Sequence, residues 1–228
     1  MRVDEPRLVG GHVALDLVNT VAPRLPGHSE NVEYMATPRD LLAWAHRVRL
    51  VTESEVESIG ETWAASPAAA AQALHAVVDI REATYGVLMS ALGNTEAATP
   101  GAADELERLH LRLAAASARS GLILGGPTGP AVRLVVGTTP ALMIADRLAE
   151  AAIDLLRTVD LKHVRICPIP EGGCGWLFLD RSRNSSRRWC AMADCGTQAK
   201  ARRLTERRRA DRATSPTKTP PRRRAASR

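Results

Sequence analysis

The chain has 228 residues, 45% hydrophobic but only 3% aromatic, which is enough for one fair-sized core and a small appended module. It has no run of about 18 apolar residues, and its start, MRVDEPRLVG, lacks the basic-then-apolar layout of a secretion signal, so no membrane span and a cytoplasmic location are expected. The net charge of +6 is unevenly spread: residues 1–180 carry −7 and residues 181–228 carry +13, a basic end on an acidic body that points to a polyanionic partner.

In chain order, the first marked segment is GGHVALDLVNT. If VALDLVNT is helical, His12, Asp16 and Asn19 fall at i, i+4 and i+7 on one face. Such a polar cluster could bind a small effector; the alternative is that Asp16 and Asn19 bond to backbone groups at nearby loop ends. Four Ser/Thr-Pro pairs follow: Thr37-Pro38, Ser66-Pro67, Thr99-Pro100 and Thr139-Pro140. Each offers an N-cap oxygen and a proline that fits the first helical turn, so four helices are expected to begin there. Thr52 with Glu55 forms a capping box for a further helix carrying Val56, Ile59 and Trp63.

Apolar residues at helical spacing continue each start, among them Leu41, Trp44 and Ala45; Val77, Val78 and Leu88; Leu106, Leu109 and Leu113; and Leu148, Ala152 and Leu155. Between the last two sets, GLILGGPTGPAVRLVV reads as two short strands about a Gly/Pro turn. The fold class expected is mainly α: a helical domain with one β-hairpin over residues 1–160, then a small module over 161–211 with short strands and a basic helix. Residues 212–228, rich in Pro, Ser and Arg, have little to bury and are expected to be a disordered basic tail, with Arg222, Arg223 and Arg224 adding non-specific attraction.

The module holds all four cysteines: Cys167, Cys174, Cys190 and Cys195. Two close pairs joined by a longer loop can place four thiolates at tetrahedral corners, so one structural Zn2+ per chain is expected. Buried thiols or two disulfides are the alternatives, and a reducing cytosol disfavours the latter. Four cysteine ligands leave no open position for a catalytic water. His163 could replace one ligand, although an ordinary partly exposed histidine is the simpler reading. Gly175 and Gly196, each directly after a cysteine, would permit tight turns that aim amide N–H groups at sulfur. Trp176 and Trp189 suit a miniature core better than a base-stacking platform.

Around the cysteines lie the candidate nucleic-acid contacts. Arg181, Arg183, Asn184, Arg187 and Arg188 fall in a polar loop after the predicted strand GWLFLD, where they could grip phosphate oxygens; a solvated basic face is the alternative. From Gly196 to Arg212 a helix would set Lys200, Arg203 and Arg207 along one stripe, with Arg202 beside it and Gln198 in its first turn. Duplex DNA is favoured over single-stranded RNA because no aromatic platform is left over.

The run CGWLFLDRSRNSSRRWCAMADCGTQAKARR resembles the CGNR zinc finger, found at the C-terminus of bacterial proteins regarded as transcription regulators. GGHVALDLVNT, followed by a Leu- and Trp-rich helix, looks like the ABATE domain that usually precedes that finger. The resemblance covers most of the chain and implies a stress-induced transcription regulator, cytoplasmic and nucleoid-associated, with a sensory helical domain. One departure stands out: Cys-Gly-Asn-Arg of the family is here Cys195, Gly196, Thr197 and Gln198.

There is no Ser/His/Asp motif, no HExxH pair, and GGPTGP lacks the Gly-Lys-Ser/Thr ending of a phosphate loop. The expected function is therefore a zinc-finger DNA-binding regulator rather than an enzyme, its partners duplex DNA and a small effector, with a homodimer admissible. Two alternatives remain: an enzyme acting on a small molecule around His12, Asp16 and Asn19, or a zinc-dependent protein-interaction module.

Overall fold

A computed structural model describes residues 6–24, 31–93, 101–126 and 128–214, without side chains for 210–214. The elements run α1 (Val13–Val18), β1 (Val21–Ala22), β2 (Val32–Glu33), α2 (Pro38–Arg47), α3 (Glu53–Ala65), α4 (Pro67–Ala91), α5 (Ala102–Ala118), β3 (Gly121–Leu124), β4 (Val132–Val135), α6 (Met143–Thr158), β5 (Val164–Ile166), β6 (Leu177–Leu179) and α7 (Thr197–Thr214). The chain is mainly helical, with three two-stranded antiparallel sheets among the described residues: β1–β2, β3–β4 and β5–β6. The expected fold class and hairpin are both present.

Local chemistry accounts for most helix starts. Thr37 and Thr52 form capping boxes with Asp40 and Glu55, and the Ser66 hydroxyl accepts from the Ala69 N–H ahead of the long α4. Two expected starts differ. Thr139-Pro140 lies in a turn closed by the Leu142 N–H on the Thr139 carbonyl, and α6 begins only at Met143. Thr-Pro suits the start of a turn as well as the start of a helix, and here the turn wins. Thr99-Pro100 lies outside the described residues; α5 begins at Ala102 with Gly101 as its N-cap. Residues 215–228, and with them Arg222, Arg223 and Arg224, also lie outside, while α7 continues past the expected boundary at 211 to Thr214.

The core is built on α4, which packs against α1, α2, α3, α5 and α6. Ala73, Val77, Ile80 and Leu88 of α4 are buried with Leu41, Ile59, Leu109 and Leu148 from its neighbours. Arginines lock the layers together. Arg81, 4% exposed, forks onto Glu33 at 2.7 and 2.8 Å and reaches Glu82 at 2.6 Å. Arg147 on α6 pairs with Glu55 of α3 and donates to the Leu50 and Val136 carbonyls.

The small module is seated on this core. Val164, Leu177 and Leu179 belong to the same apolar cluster as Leu15 and Leu17 of α1. A second cluster, Trp176, Phe178, Trp189, Ala199 and three cysteines, lies on the other side of the β5–β6 ribbon. Alternation along β6 makes both possible, since successive side chains leave opposite faces.

Candidate metal centre and basic surface

Cys167 follows β5, Cys174 precedes β6, Cys190 comes just before a π-helical turn (Met192–Gly196) that runs into α7, and Cys195 lies within that turn. The four Sγ atoms all lie within 4.8 Å of one another, with Cys174 to Cys190 at 3.4 Å and Cys190 to Cys195 at 3.7 Å. A disulfide needs sulfurs at about 2.05 Å. A tetrahedral zinc with Zn–S near 2.3 Å needs sulfurs roughly 3.8 Å apart. The cluster therefore fits one structural zinc, and the two-disulfide alternative fails on distance. His163 is not among the clustered ligands; its carbonyl accepts from the Asp180 N–H at 2.8 Å.

Backbone geometry prepares the cage. The Cys167 N–H bonds to the Trp176 carbonyl at 2.9 Å and the Gly175 N–H to the Cys167 carbonyl at 3.0 Å, which brings Cys167 and Cys174 together across a loop. Gly175 turns at φ +77°, as its position after a cysteine implied. Gly196 sits in a close-packed spot instead: a Cβ there would crowd the Trp189 ring at 3.1 Å and push aside the exposed Met192 side chain. The amides aimed at sulfur are those of Trp176, toward Cys174, and of Cys174 and Cys190, toward Cys167. The amides of the two glycines go instead to carbonyls.

The clustered sulfurs do not ionise alike. Hydrogen bonds from the Cys174 and Cys190 thiols hold Cys167 far below the usual thiol range, and donating those bonds to Cys167 pushes Cys174 and Cys190 up. A divalent cation supplies the missing counter-charge that lets all four sulfurs ionise together.

The arginine loop is organised by Asp180, a residue the sequence reading passed over. Its Oδ1 accepts from the Ser182 amide at 2.9 Å and the Ser182 hydroxyl at 2.6 Å, and its Oδ2 from the Arg187 amide at 2.9 Å. The Ser182 bonds, chiefly the side-chain one, hold this carboxyl below its ordinary range. Asp followed two residues later by Ser is the pattern of an Asx turn and could have been read from the sequence.

Within that loop the arginines separate. Arg187 points inward: it donates to the carbonyls of Trp189 (3.1 Å), Leu179 (3.3 Å) and Cys190, and its guanidinium lies 4.5 Å from the Phe178 ring centroid. Arg181, Arg183 and Asn184 are exposed. Arg188 pairs with Glu171, as does Arg203 of α7 at 2.7 Å. Arg165, Ser185, Ser186 and Arg188 line a shallow groove beside this pair.

On α7, Gln198 and every residue from Lys200 to Arg209 are exposed, including Arg202, Arg203 and Arg207, while Ala199 packs on the second cluster. Thr197, at the family's asparagine position, donates its hydroxyl to the Met192 carbonyl at 3.1 Å and so braces the π-helical turn. Trp176 and Trp189 are 3% and 9% exposed and serve as core, not as stacking platforms.

The polar residues of GGHVALDLVNT part company. His12 is the N-cap of α1, its Nδ1 accepting from the Ala14 N–H at 3.2 Å, and its ring borders a groove with Leu113, Glu150, Asp154 and Arg157. Asp16 accepts from the Gly10 N–H at 2.8 Å; burial pushes its carboxyl up, against the amides of Gly10 and Val9. Asn19 is fully buried and makes both of its bonds to the Leu177 backbone, 158 residues away. The structure thus gives Asp16 and Asn19 backbone partners and places His12 beside a groove.

Comparison with known proteins adds two matches. The ABATE family, described as "Putative stress-induced transcription regulator", matches residues 11–159, and the CGNR zinc finger matches residues 163–208. No curated protein matches the chain.

Proposed function

Because the chain belongs to the ABATE family and carries a CGNR zinc finger, we propose that it binds duplex DNA through that finger, with the zinc supplying fold rather than chemistry. The observation that carries the reading is the placement of two exposed basic surfaces, the Arg181–Asn184 tip and α7, on elements rooted in the four-cysteine cage. Exposed arginines on a fixed frame suit phosphate oxygens. Gln198, exposed in the first turn of α7, has the donor and acceptor needed to read adenine in a major groove. The groove lined by Arg165, Ser185, Ser186 and Arg188 also has the Glu171 carboxylate on its wall, paired to Arg188, so a backbone phosphate would have to displace Glu171 to reach that guanidinium.

The helical domain would then report a small effector, and the groove bordered by His12, Glu150, Asp154 and Arg157 is its best seat. A homodimer would present two fingers to two half-sites. The reading places the protein in the cytoplasm at the nucleoid.

The test is duplex binding by the zinc-loaded chain as a function of salt. Affinity should fall steeply, with each neutralised phosphate adding about 0.9 to the log–log slope. A flat response, or equal binding by a chain lacking zinc, would refute it.

A further inference from the structure

The β3–β4 hairpin carries an apolar face of which the regulator reading uses only Leu134, on the wall of the His12 groove. Leu122, Leu124, Val132 and Leu134 are 72%, 87%, 48% and 58% exposed. The register pairs Leu122 with Leu134 and Leu124 with Val132. Directly opposed side chains leave the same face of a sheet, so these four aliphatics form one exposed patch, while Gly121, Ile123, Arg133 and Val135 share the other face.

The backbone shows which edge is free. The Gly125 N–H donates to the Ala131 carbonyl at 2.9 Å. Hydrogen-bonded and non-bonded pairs alternate in an antiparallel ladder, so Ile123–Arg133 exchanges bonds within the hairpin, and the N–H and C=O groups of Leu122 and Leu124 point out of the far edge of β3. Among the described residues no strand pairs with that edge. The edge of β4 lies on the side of α6, where Arg147 donates to the Val136 carbonyl and Leu134 shares a groove with Ala151. β3 itself, Gly-Leu-Ile-Leu, has no charge, proline or bulge, the devices by which soluble proteins stop edge strands from pairing.

We propose that a second copy of this chain covers this edge, the two β3 strands pairing antiparallel about a two-fold axis at Ile123 to give one four-stranded sheet. Antiparallel pairing of a strand with itself generates its own two-fold, so the surface is self-complementary without further elements. Centring on Ile123 sets Leu122 against the partner's Leu124, both with outward-facing backbone groups. It also gathers the four aliphatics of each chain on one face. A strand without charge meets no like-charge penalty from its copy, whereas a charged partner would find nothing there to pair with. The inference deepens the two-copy part of the reading above but does not depend on DNA, because its test reads mass alone.

Sedimentation equilibrium on the zinc-loaded full chain across micromolar concentrations should give twice the 24.5 kDa chain mass. The double substitution Leu122→Lys with Leu124→Lys changes only exposed side chains and should give a monomer with unchanged circular dichroism and one bound zinc. Ile123→Cys supplies an independent readout: opposed non-bonded residues sit about 4.5 Å apart at Cα, within disulfide reach, so mild oxidation should link two chains. A monomeric parent chain, a dimer indifferent to the lysine pair, or an Ile123→Cys variant that does not cross-link would each overturn the proposal. A monomer that captures a different protein through β3 would do so too. Loss of the dimer with salt-dependent DNA binding intact would leave the regulator reading standing.

Discussion

Asn19 holds Leu177 as a neighbouring strand would: its Nδ2 donates to the Leu177 carbonyl at 2.8 Å and its Oδ1 accepts from the Leu177 N–H at 2.9 Å. Both residues are fully buried. Asn19→Ala would leave a buried donor and acceptor unpaired, so a loss of about 2–4 kcal/mol is expected in denaturant unfolding. Asn19→Asp should also be harmful, since it keeps the size but removes the donor. A change within experimental error for both would show that the clamp does not join the two parts.

The same clamp bears on truncation. Residues 1–160 alone would lose Val164, Leu177 and Leu179 from the core, and with them the Leu179 N–H bond to the Gly10 carbonyl and the Trp176 bond to the Val21 carbonyl. That fragment is expected to melt well below the full chain and to bind a dye for exposed apolar surface. A fragment as stable as the parent would show the helical part to be self-sufficient.

Zinc removal should act first on the elements rooted in the cage. Chelation, or Cys190→Ser, is expected to melt α7 and loosen the arginine loop while the helices packed on α4 persist, because Ala199 and the π-helical turn give α7 its root. Far-UV circular dichroism should fall by about the α7 share, and metal analysis should fall from one zinc per chain to none. Complete collapse of helical signal would contradict this order of events.

Stability should weaken in acid through Glu55. Its hydrogen bond from Arg147 holds the carboxyl down at about 2, so the folded form favours the ionised state. That contribution is complete above the unfolded value near 4.5 and is lost as pH falls toward 2, because the unfolded chain then takes up the proton first. Glu55 is partly exposed, so its share is on the order of 1 kcal/mol after solvent screening. Arg147→Met should return the Glu55 carboxyl toward 4.5 in an NMR titration.

Arg183 and Arg187 should separate binding from folding. Arg183→Ala is expected to weaken DNA binding several-fold and to lower the salt slope by about one phosphate, with no change in melting. Arg187→Ala should lower the melting temperature instead, because four carbonyls, those of Trp189, Leu179, Val9 and Cys190, lose a donor. Glu171→Gln, by releasing Arg188 and Arg203, should strengthen binding.

How much of this was legible beforehand depended on how local the cause was. Thr37, Thr52 and Ser66 start helices through atoms within three residues of themselves, and the sequence discloses such causes. The four cysteines were legible because their clustering in two close pairs suits a tetrahedral metal, and disulfides are disfavoured in a reducing cytosol. Arg187 and Arg183 look alike in sequence, and only packing against Phe178 separates the inward one from the outward. Asp16 and Asn19 drew attention as polar residues on an apolar segment; Asp16 meets the nearby Gly10 amide, as the backbone alternative anticipated, whereas the partner of Asn19, Leu177, appears only when β6 is laid beside α1. Thr139-Pro140 misled because a turn and a helix start begin with the same two residues.

An 18-residue helix spans about 27 Å, several Debye lengths at physiological salt. Charges on α7 that stand more than a Debye length from the acidic residues of the body are screened from them. If the finger binds duplex DNA as proposed, the uneven charge along the chain, −7 over 1–180 and +13 over 181–228, should turn the molecule near a phosphate backbone so that the finger leads. Its encounters would then be productive more often than the small size of the finger would allow by chance, and that advantage would vanish with added salt before affinity itself is lost.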